Sequence, residues 1–394
     1  MTHRVAIVGA GPSGFYAADG LLRANPELHI DLIDRLPTPH GLVRAGVAPD
    51  HQGTKAVARQ FDRLLAQPDV RFAGNLEIGR DLSWDALRAA YDAVIVATGM
   101  VIDRKLGVPG EELPQVWGSW RFVAWLNGHP DFRQGPDLSQ VRRVAVIGNG
   151  NVALDVARLL AKSVEEMTKS DIVPAAASAI AAAPLANIYV IGRRGPEHAS
   201  FTSNELGEMG RLARAVAVTD AEVLEGHPPA SDPTPERLRK NKNLEILKGF
   251  AGNKPGSKPV TVHFLFNSAP KAFRASELEL TTGKLPVDLV VTCIGYGGED
   301  YPKADGVFAV GWARRGPSGT IPTNRADSHA VAKEVAVWLK ERDPKSGPDP
   351  LPICVDADGW HRIDKAEVAA GVAAGRPRVK LTEWQALLEV AQGG

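Results

Sequence analysis

Apolar and polar positions follow two different periods near the start of the chain. Residues 5–8 form an uninterrupted apolar run, and residues 30–33 form a second run that is apolar except for Asp31. Between these runs, apolar side chains recur at helical spacing, at Phe15, Ala18, Leu21 and Leu22. A short continuous apolar run is typical of a strand buried on both faces of a parallel sheet. The pattern therefore predicts a strand–helix–strand unit.

The same order of elements recurs in the middle of the chain, as a strand at 144–147, a helix at 152–160 and a strand at 188–191. Further strands are expected at 70–78, 92–99, 260–266, 278–280, 289–294, 307–310 and 379–381. Further helices are expected at 54–65, at 328–340, from Asp364 onward and at 382–390. Repeated β–α–β units predict an α/β fold with two Rossmann-like, three-layer (ββα or αβα) dinucleotide-binding domains.

The second domain is expected to be inserted into the first. The strands at 92–99 and 289–294 each end in a turn of small residues, which suggests that the chain crosses between domains near 100–106 and 297–306. The predicted division is 1–102 and 303–394 for the first domain and 103–302 for the inserted one. An exposed loop is predicted at 226–235 because Pro, Gly and polar residues cluster there.

The first strand runs directly into Gly9-Ala10-Gly11-Pro12-Ser13-Gly14. Gly9 permits a tight turn, Gly11 lets the backbone approach a pyrophosphate, and Gly14 allows close packing of helix on strand. The helix N-terminus offers N–H groups and partial positive charge to the pyrophosphate. Asp34, at the end of the second strand, can accept hydrogen bonds from an adenosine ribose. The alternative is a packing turn without a ligand.

The second copy carries Gly148-Asn149-Gly150-Asn151-Val152-Ala153 in its turn and ends with Gly192-Arg193-Arg194-Gly195. An acid after the second strand would repel a 2′-phosphate, whereas two guanidiniums can clamp it with charge-assisted hydrogen bonds. The first site therefore suits an unphosphorylated adenosine and the second suits NADP. A solvated strand end is the alternative for Arg193 and Arg194. Tightly held FAD and exchanging NADP(H) form a natural pair, because nicotinamides deliver hydride and flavins accept it.

Composition excludes several other classes of protein. Lys and Arg together number 46 and so do Asp and Glu, which argues against a general nucleic-acid binder. The two cysteines, Cys293 and Cys354, provide no disulfide framework, no redox CxxC pair and no iron–sulfur ligand set. The apolar stretch 172–191 is interrupted by prolines and is a poor membrane span, and the chain enters a strand without a signal peptide. A cytoplasmic protein without a metal site is expected.

Several longer stretches resemble the adrenodoxin-reductase-like NADPH–ferredoxin reductases, including bacterial members. The resemblance covers much of the chain, through VAIVGAGPSGFYAADGLL, HGLVRAGVAPDH, GNLEIGRD, GVPGEELP, FVAWLNGHPDF, GNGNVALDVARLL, IGRRGPEHASFTSNEL, GWARRGPSGTIPTN and GRPRVKL. HGLVRAGVAPDH and the GWARRGPSGTI block are specific to the family, whereas the bare glycine motifs occur in many nucleotide-binding proteins.

The resemblance implies which residues contact each cofactor. For FAD these are Ala10, Asp34, Leu42 and Leu76, with Trp312, Gly319, Thr320 and Ile321 near the flavin end. For NADP they are Asn149, Gly150, Asn151, Val152, Arg193, Arg194 and Glu205. Polar side chains near the reacting rings, with catalytic roles, would be His51, Asp155 and Glu205. In two respects the chain departs from the family, because Asp34 stands where Glu is usual and the region between Glu205 and Gly283 looks shortened.

The mechanism implied by this resemblance is hydride transfer from NADPH to FAD and single-electron release to a ferredoxin or a similar small acidic iron–sulfur protein. Candidate docking residues for that acidic partner are Arg211, Arg214, Arg237, Arg239, Lys240 and Lys242; a solvated charged face is the alternative. The family also suggests a monomer. An NADPH-dependent quinone or dye reductase and a non-catalytic NADP(H)-sensing flavoprotein remain alternatives.

Overall fold

The computed structural model describes residues 2–225, 234–319, 321–347 and 349–393. The chain forms two compact units. One unit contains both chain ends and comprises Met1–Ile102, Asn127–Arg133 and Tyr296–Gly394. The other comprises Asp103–Leu126 and Gln134–Gly295. We call them the terminal unit and the inserted unit.

A five-stranded sheet forms the centre of the terminal unit, and every pairing within it is parallel. Its strands are β1 (Arg4–Val8), β2 (His29–Asp34), β3 (Val70–Gly74), β4 (Ala93–Val96) and β16 (Val307–Ala309), in the order β16-β4-β1-β2-β3. The helices are α1 (Pro12–Ala24), α2 (Leu42–Ala45), α3 (Gln52–Lys55), α4 (Ala58–Leu65), α5 (Trp84–Ala90), α12 (Trp312–Arg315), α13 (Ile321–Lys340), α14 (Ala357–Ala373) and α15 (Trp384–Gln392).

A six-stranded parallel sheet forms the centre of the inserted unit, in the order β6-β14-β7-β8-β10-β9. Its strands are β6 (Val116–Gly118), β7 (Arg143–Ile147), β8 (Asn187–Ile191), β9 (Ala215–Thr219), β10 (Val260–Leu265) and β14 (Leu289–Thr292). An antiparallel meander consists of β11 (Pro270–Phe273), β12 (Glu277–Leu280) and β13 (Gly283–Pro286). The helices are α6 (Ser119–Leu126), α7 (Asn151–Ala161), α8 (Val164–Met167), α9 (Pro174–Ala182), α10 (Ser203–Met209) and α11 (Pro235–Ala251), with 3₁₀ turns at Pro196–His198 and Glu222–Leu224.

Two short strands lie where the chain crosses between the units, β5 (Ile102–Asp103) and β15 (Tyr296–Gly297), and they pair with each other. The predicted α/β fold with two parallel-sheet units is confirmed. None of the helices in the described parts of the chain is long and apolar enough to span a membrane.

Helix α1 has the buried face that its sequence pattern predicted. Phe15, Ala18 and Leu21 are fully buried against the sheet of the terminal unit. Helix α13 packs against α1 at Gly20, where a Cβ would lie only 2.8 Å from the Cβ of Ala332. This close packing fixes the position of the helix that follows the first glycine turn.

Asp31, in the middle of β2, is a fully buried acid in the terminal unit. It accepts hydrogen bonds from Arg71 Nε at 2.6 Å and from the Tyr91 hydroxyl at 2.5 Å, and His29 Nε2 lies 3.3 Å away. Burial alone would raise the pKa of Asp31, but the hydrogen bonds from His29, Arg71 and Tyr91 outweigh burial and lower it to about 2. These four residues, the Asp31 cluster, stabilise the ionised carboxylate.

The expectations for the C-terminal region were partly wrong. Residues 379–381 are not a strand, because Val379 N–H donates to the Glu367 carbonyl and Leu381 N–H donates to the Glu367 carboxylate. These bonds tie the segment to a helix instead of a sheet. Helix α14 begins at Ala357 and not near Asp364, since Asp356 Oδ1 caps it by accepting from Gly359 N–H at 2.8 Å.

Other element boundaries differ from the sequence expectations without changing the architecture. Helix α13 begins seven residues before the expected start at 328. The expected helix at 54–65 is two helices, α3 and α4. Of the exposed loop predicted at 226–235, residues 226–233 lie outside the described residues, and Pro235 is the first residue of α11.

Candidate functional site

The first glycine turn has no space for side chains at two of its glycines. Gly9 has a φ of +113°, and a Cβ there would lie 2.4 Å from the Ala97 carbonyl oxygen. A Cβ on Gly14 would lie 2.1 Å from the Gly9 carbonyl oxygen. Gly11 is the N-cap of α1 and provides no side-chain hydrogen bond to its first turn. The start of α1 can therefore receive an anionic group of a ligand.

The Asp34 carboxylate lies directly beside this turn. Its Oδ2 accepts a hydrogen bond from Ala10 N–H at 2.9 Å, and its Oδ1 accepts one from Leu36 N–H at 2.9 Å. Burial raises the pKa of Asp34, and the two backbone donors oppose that effect. Leu76 N–H donates to the Asp34 carbonyl oxygen at 3.0 Å. Because each carboxylate oxygen can accept more than one hydrogen bond, Asp34 can still accept from a ribose.

The segment at residues 40–44 (HGLVR) packs against the same glycine turn. His40 N–H donates to the Ala10 carbonyl at 2.7 Å, and a Cβ on Gly41 would lie 2.9 Å from Gly11 Cα. Leu42 follows as the first residue of α2. His40 itself has a φ of +81°, is buried, and places Nε2 3.0 Å from Asp62 Oδ1. Sequence reasoning assigned no role to His40, although it lies within a family-specific stretch.

A third segment, around Trp312, reaches the start of α1. Gly311 has a φ of +63°, its N–H donates to Asp327 Oδ2 at 2.6 Å, and a Cβ on it would lie 1.9 Å from Ser13 Oγ. Trp312 Nε1 donates to the Ser318 carbonyl at 3.2 Å. The Trp312 ring stacks on Tyr296 with centroids 6.0 Å apart and planes at 21°.

The remaining residues expected near the flavin end, and His51, lie at or near the starts of two helices. Gly319 has a φ of +84°, and Ile321 begins α13. Thr320 lies outside the described residues. His51 is the N-cap of α3, and its N–H donates to the Ala48 carbonyl at 3.0 Å. The terminal unit therefore places Ala10, Asp34 and Leu76 in direct contact around one turn, with the segments of Leu42 and Trp312 packed against it.

The inserted unit repeats the geometry of the first glycine turn. Gly148 N–H donates to the Ile191 carbonyl at 2.9 Å, as Gly9 N–H donates to the Ile33 carbonyl at 2.7 Å. A Cβ on Gly148 would lie 2.3 Å from the Cys293 carbonyl oxygen, as a Cβ on Gly9 would approach Ala97. The second turn is therefore a structural copy of the first.

Helix α7 follows the second turn, with Gly150 as its N-cap and with Asn151 and Val152 in its first turn. Asn149 Oδ1 is buried and has no hydrogen-bond partner among the described residues. The Asn149 side chain fills the space above Gly192, where a Cβ would lie 1.8 Å from Nδ2. A buried polar atom without a partner is costly unless a ligand or water satisfies it, so this turn fits a bound polar group.

Arg193 and Arg194 follow β8 after one intervening residue, Gly192, and both are exposed. Their side chains form no ion pair or hydrogen bond with any residue in the described parts of the chain. Two guanidiniums without internal partners beside a helix N-terminus fit an anionic ligand such as a phosphate.

Asp155 and Glu205 both contact Arg158, on α7. Asp155 Oδ1 lies 2.7 Å from Arg158 Nη2, and Glu205 Oε2 lies 2.9 Å from Arg158 Nη1. Thr202, the N-cap of α10, donates its N–H to Asn151 Oδ1 at 2.8 Å. The structure thus brings Asn151, Asp155 and Glu205 to one helix–helix contact, which the separate sequence motifs did not predict.

The basic residues expected to dock a partner are not equally available. Arg239 donates to the Phe201 carbonyl at 2.9 Å, and Lys240 pairs with Glu236 at 2.9 Å on the same helix. Arg211 and Lys242 are exposed. Arg239 and Lys240 therefore already have partners within the inserted unit.

Comparisons with known proteins identify the family of this chain. A family model described as pyridine nucleotide-disulphide oxidoreductase matches residues 3–184. The chain is 34% identical to the NADPH-ferredoxin reductase FprA of Mycobacterium leprae, with 99% of both chains covered. It is also 34% identical to the mitochondrial NADPH:adrenodoxin oxidoreductase of Arabidopsis thaliana, with 98% of this chain and 95% of that protein covered. The alignment with the M. leprae protein spans 462 positions against 394 residues here, so that relative has segments that this chain lacks.

The fold agrees with that of a solved relative. The structure of Mycobacterium tuberculosis FprA in complex with NADPH matches with a TM-score of 0.94 at 34% identity, and it covers 100% of both chains. Identity above 30% over nearly the whole chain, together with the shared fold, shows that this chain and these relatives belong to one family. The chain therefore belongs to the adrenodoxin-reductase-like NADPH–ferredoxin reductases, a family of FAD- and NADP-dependent oxidoreductases.

Proposed function

We propose that this protein oxidises NADPH with a bound FAD and passes the electrons one at a time to a small acidic iron–sulfur protein of the ferredoxin type. The main support is the difference between the residues that follow two turns of matching backbone geometry. In the terminal unit, the strand after the glycine turn ends in Asp34; in the inserted unit, the equivalent strand is followed by Arg193 and Arg194. An acid favours an unphosphorylated adenosine, and two guanidiniums favour the 2′-phosphate of NADP.

In this proposal the terminal unit holds FAD. Residues 1–102 and 303–394 form the FAD-binding domain, as the sequence suggested. The start of α1 receives the pyrophosphate, and Asp34 accepts from the adenosine ribose. The flavin end of the cofactor lies beside Trp312 and residues 319–321. The remaining contacts come from Ala10, Leu42 and Leu76.

In the same proposal, residues 103–302 form the NADP-binding domain. The turn at Asn149–Gly150 and the first residues of α7, Asn151 and Val152, receive the pyrophosphate. Arg193 and Arg194 hold the 2′-phosphate. Glu205 contacts the nicotinamide half of the coenzyme.

FAD supplies the chemistry that the protein's own side chains lack, since it accepts a hydride from NADPH and can return its two electrons singly. The chain's residues act by placement. They bring donor and acceptor to near-attack distance, about 3–3.5 Å, which accounts for much of the rate of such a transfer. We assign His51, Asp155 and Glu205 to holding charge and protons near the reacting rings.

The partner and the setting complete the proposal. Exposed cations such as Arg211 and Lys242 would attract an acidic iron–sulfur protein. We further propose a monomer located in the cytoplasm.

An anaerobic visible spectrum of the purified protein tests the proposal. We expect a yellow protein whose flavin absorbance bleaches faster with NADPH than with an equal amount of NADH, and whose colour returns when oxidised ferredoxin is added. A protein that cannot be loaded with FAD would overturn the proposal. A flavin that is indifferent to NADPH would overturn NADPH as the electron donor, and with it the role given to Arg193 and Arg194.

The acidic partner is tested separately through salt. Because exposed charges are screened over about 10 Å at 0.1 M salt, ferredoxin reduction should weaken as salt is added. Flavin bleaching by NADPH in the absence of ferredoxin provides the comparison. Ferredoxin reduction with no more salt dependence than bleaching would count against an electrostatic docking surface.

A further inference from the structure

Arg158 is a fully buried cation in the inserted unit, with 0% of its side chain exposed. Three carboxylates surround its guanidinium: Asp155 at 2.7 Å from Nη2, Glu205 at 2.9 Å from Nη1, and Glu208 at 3.5 Å from Nε. A buried guanidinium stays ionised and requires anionic partners, since leaving it unpaired costs several kcal/mol. Arg158 therefore holds the three carboxylates around it as their shared cationic partner.

The local sequence favours a different hydrogen-bond partner for the Glu205 carboxylate. Thr202-Ser203-Asn204-Glu205 has the spacing of a capping box, in which the glutamate turns back to the N–H of the N-cap residue. The molecule forms that arrangement in full at α8, where Ser163 N–H donates to Glu166 Oε2 at 2.8 Å and Glu166 N–H donates to Ser163 Oγ at 3.2 Å. At α10 only half of it forms, since Glu205 N–H donates to Thr202 Oγ1 at 3.4 Å.

Asn151 explains why the second half is missing at α10. Its Oδ1 accepts the Thr202 N–H at 2.8 Å, which removes the donor that Glu205 would otherwise satisfy. The Glu205 carboxylate instead extends to Arg158. Two contacts, Asn151–Thr202 and Arg158–Glu205, thus fix the first turn of α10 against α7.

Two of the carboxylates held by Arg158 are partly exposed to solvent. Asp155 keeps 16% of its side chain exposed and Glu205 keeps 18%, while Arg158 keeps none. A planar guanidinium holds two carboxylates at fixed positions on two different nitrogens, whereas an ammonium provides only a point charge. The arrangement therefore holds two anionic groups in fixed orientations, Asp155 on α7 and Glu205 on α10.

We propose that Arg158 is a positioning residue for coenzyme oxidation: it diverts Glu205 from the helix cap and, together with Asp155, orients it toward the nicotinamide half of NADPH. The inference rests on the proposed function, because that function places Glu205 at the nicotinamide. Arg158 does not touch the coenzyme in this account. It acts only through the two carboxylates.

The test uses the FAD-loaded protein with Arg158→Met and Arg158→Lys, and it measures two quantities. The first is the rate of flavin bleaching at saturating NADPH. The second is the affinity for 2′,5′-ADP, which contains the 2′-phosphate but no nicotinamide. Misplacement of groups by about 1 Å can cost about 10²-fold in rate, so Arg158→Met should slow bleaching by roughly 10- to 100-fold. Arg158→Lys should fall between Arg158→Met and the parent, and the affinity for 2′,5′-ADP should be unchanged in both variants.

Glu166→Ala is the matched control. It breaks the capping box at α8 in the same unit and should leave both the bleaching rate and 2′,5′-ADP binding at the parent values. The inference is overturned if both Arg158 variants bleach as fast as the parent. It is also overturned if the affinity for 2′,5′-ADP falls in step with the rate, because Arg158 would then only maintain the fold of the unit.

Two further outcomes are decided by the same measurements. If Arg158→Met does not yield folded protein, Arg158→Lys alone is judged by the same two criteria. A parent protein that NADPH does not bleach would overturn the proposed function and this inference together. A parent that bleaches and variants that match it overturn the inference alone.

Discussion

Replacing both Arg193 and Arg194 by alanine gives a direct measure of how the protein selects NADPH over NADH. Both side chains are exposed and have no ion-pair or hydrogen-bond partner among the described residues. Their removal therefore breaks no ion pair or hydrogen bond within the described part of the chain, and the double variant should fold and retain FAD like the parent. Any change in coenzyme use can then be attributed to the lost contacts with the ligand.

The size of the effect follows from the number of contacts. A hydrogen bond to a charged group contributes about 1.5–3 kcal/mol, and the exposed position of both guanidiniums favours the lower value. Two such contacts amount to roughly 3 kcal/mol, which corresponds to about a 100-fold change in affinity. We expect the KM for NADPH to rise by about that factor, and the KM for NADH to change little because NADH has no 2′-phosphate.

Steady-state reduction of ferricyanide with each coenzyme measures the two KM values. The control is Lys248→Ala with Lys254→Ala, which removes the same charge from exposed positions of the same unit. Equal losses with NADPH and NADH would refute the reasoning and indicate a general structural role. A similar rise in the NADPH KM for the lysine control would show that overall charge, and not a phosphate clamp, sets the preference.

Three further predictions concern the two turns, the Asp31 cluster and His51. Gly148→Ala should weaken binding of 2′,5′-ADP and leave FAD bound, because its new Cβ would lie 2.3 Å from a carbonyl oxygen of the inserted unit. Gly9→Ala should release FAD and leave 2′,5′-ADP binding intact, because its new Cβ would lie 2.4 Å from a carbonyl oxygen of the terminal unit. Loss of both ligands in either variant would contradict the prediction that each turn serves one cofactor. Because the pKa of Asp31 is lowered from 3.8 to about 2, its ionised carboxylate stabilises the folded state by about 2 kcal/mol above pH 3.8, and this contribution is lost as the pH falls toward 2. The urea unfolding midpoint of the parent should therefore decline over that range. An equal decline in Asp31→Asn would show that other groups cause it. His51→Gln should slow flavin bleaching by NADPH without changing 2′,5′-ADP affinity, and an unchanged bleaching rate would remove His51 from the mechanism.

Sequence patterns predicted the elements whose identity depends on local signals. Strands β1, β7 and β8 contain continuous apolar runs because both faces of a parallel sheet are buried, and β2 departs from this pattern only at Asp31. The glycine turns could be located because their positive φ values and close carbonyl contacts leave no other residue type without strain. The cofactor residues assigned by resemblance remain proposals, although Ala10, Asp34 and Leu76 do lie together.

Contacts between distant residues account for what the sequence did not predict. Residues 379–381 look like a strand by composition, yet their N–H groups bond to Glu367, which lies more than ten residues earlier. Thr202 and Glu205 look like a capping box, yet a side chain about fifty residues earlier, Asn151, takes the N–H that would complete it. In both cases a hydrogen bond to a residue distant in the sequence replaces the local hydrogen bond. A pattern of neighbouring residues carries no information about such a distant partner.

The equivalence of the two turns shows where coenzyme preference resides. Since Gly9 bonds to Ile33 and Gly148 bonds to Ile191, the residues that follow, Asp34 and Gly192, occupy matching positions.

Asp34 uses its carboxylate to hold Ala10 N–H, whereas Gly192 provides space for the side chain of Asn149, which stands at the position matching Ala10. An acid at position 192 would collide with Asn149, because even a Cβ would lie 1.8 Å from its Nδ2. An acid at 192 would therefore also need a smaller residue at 149, and a single substitution at Gly192 should displace the Asn149 side chain and not convert the inserted unit to NADH while Arg193 and Arg194 remain.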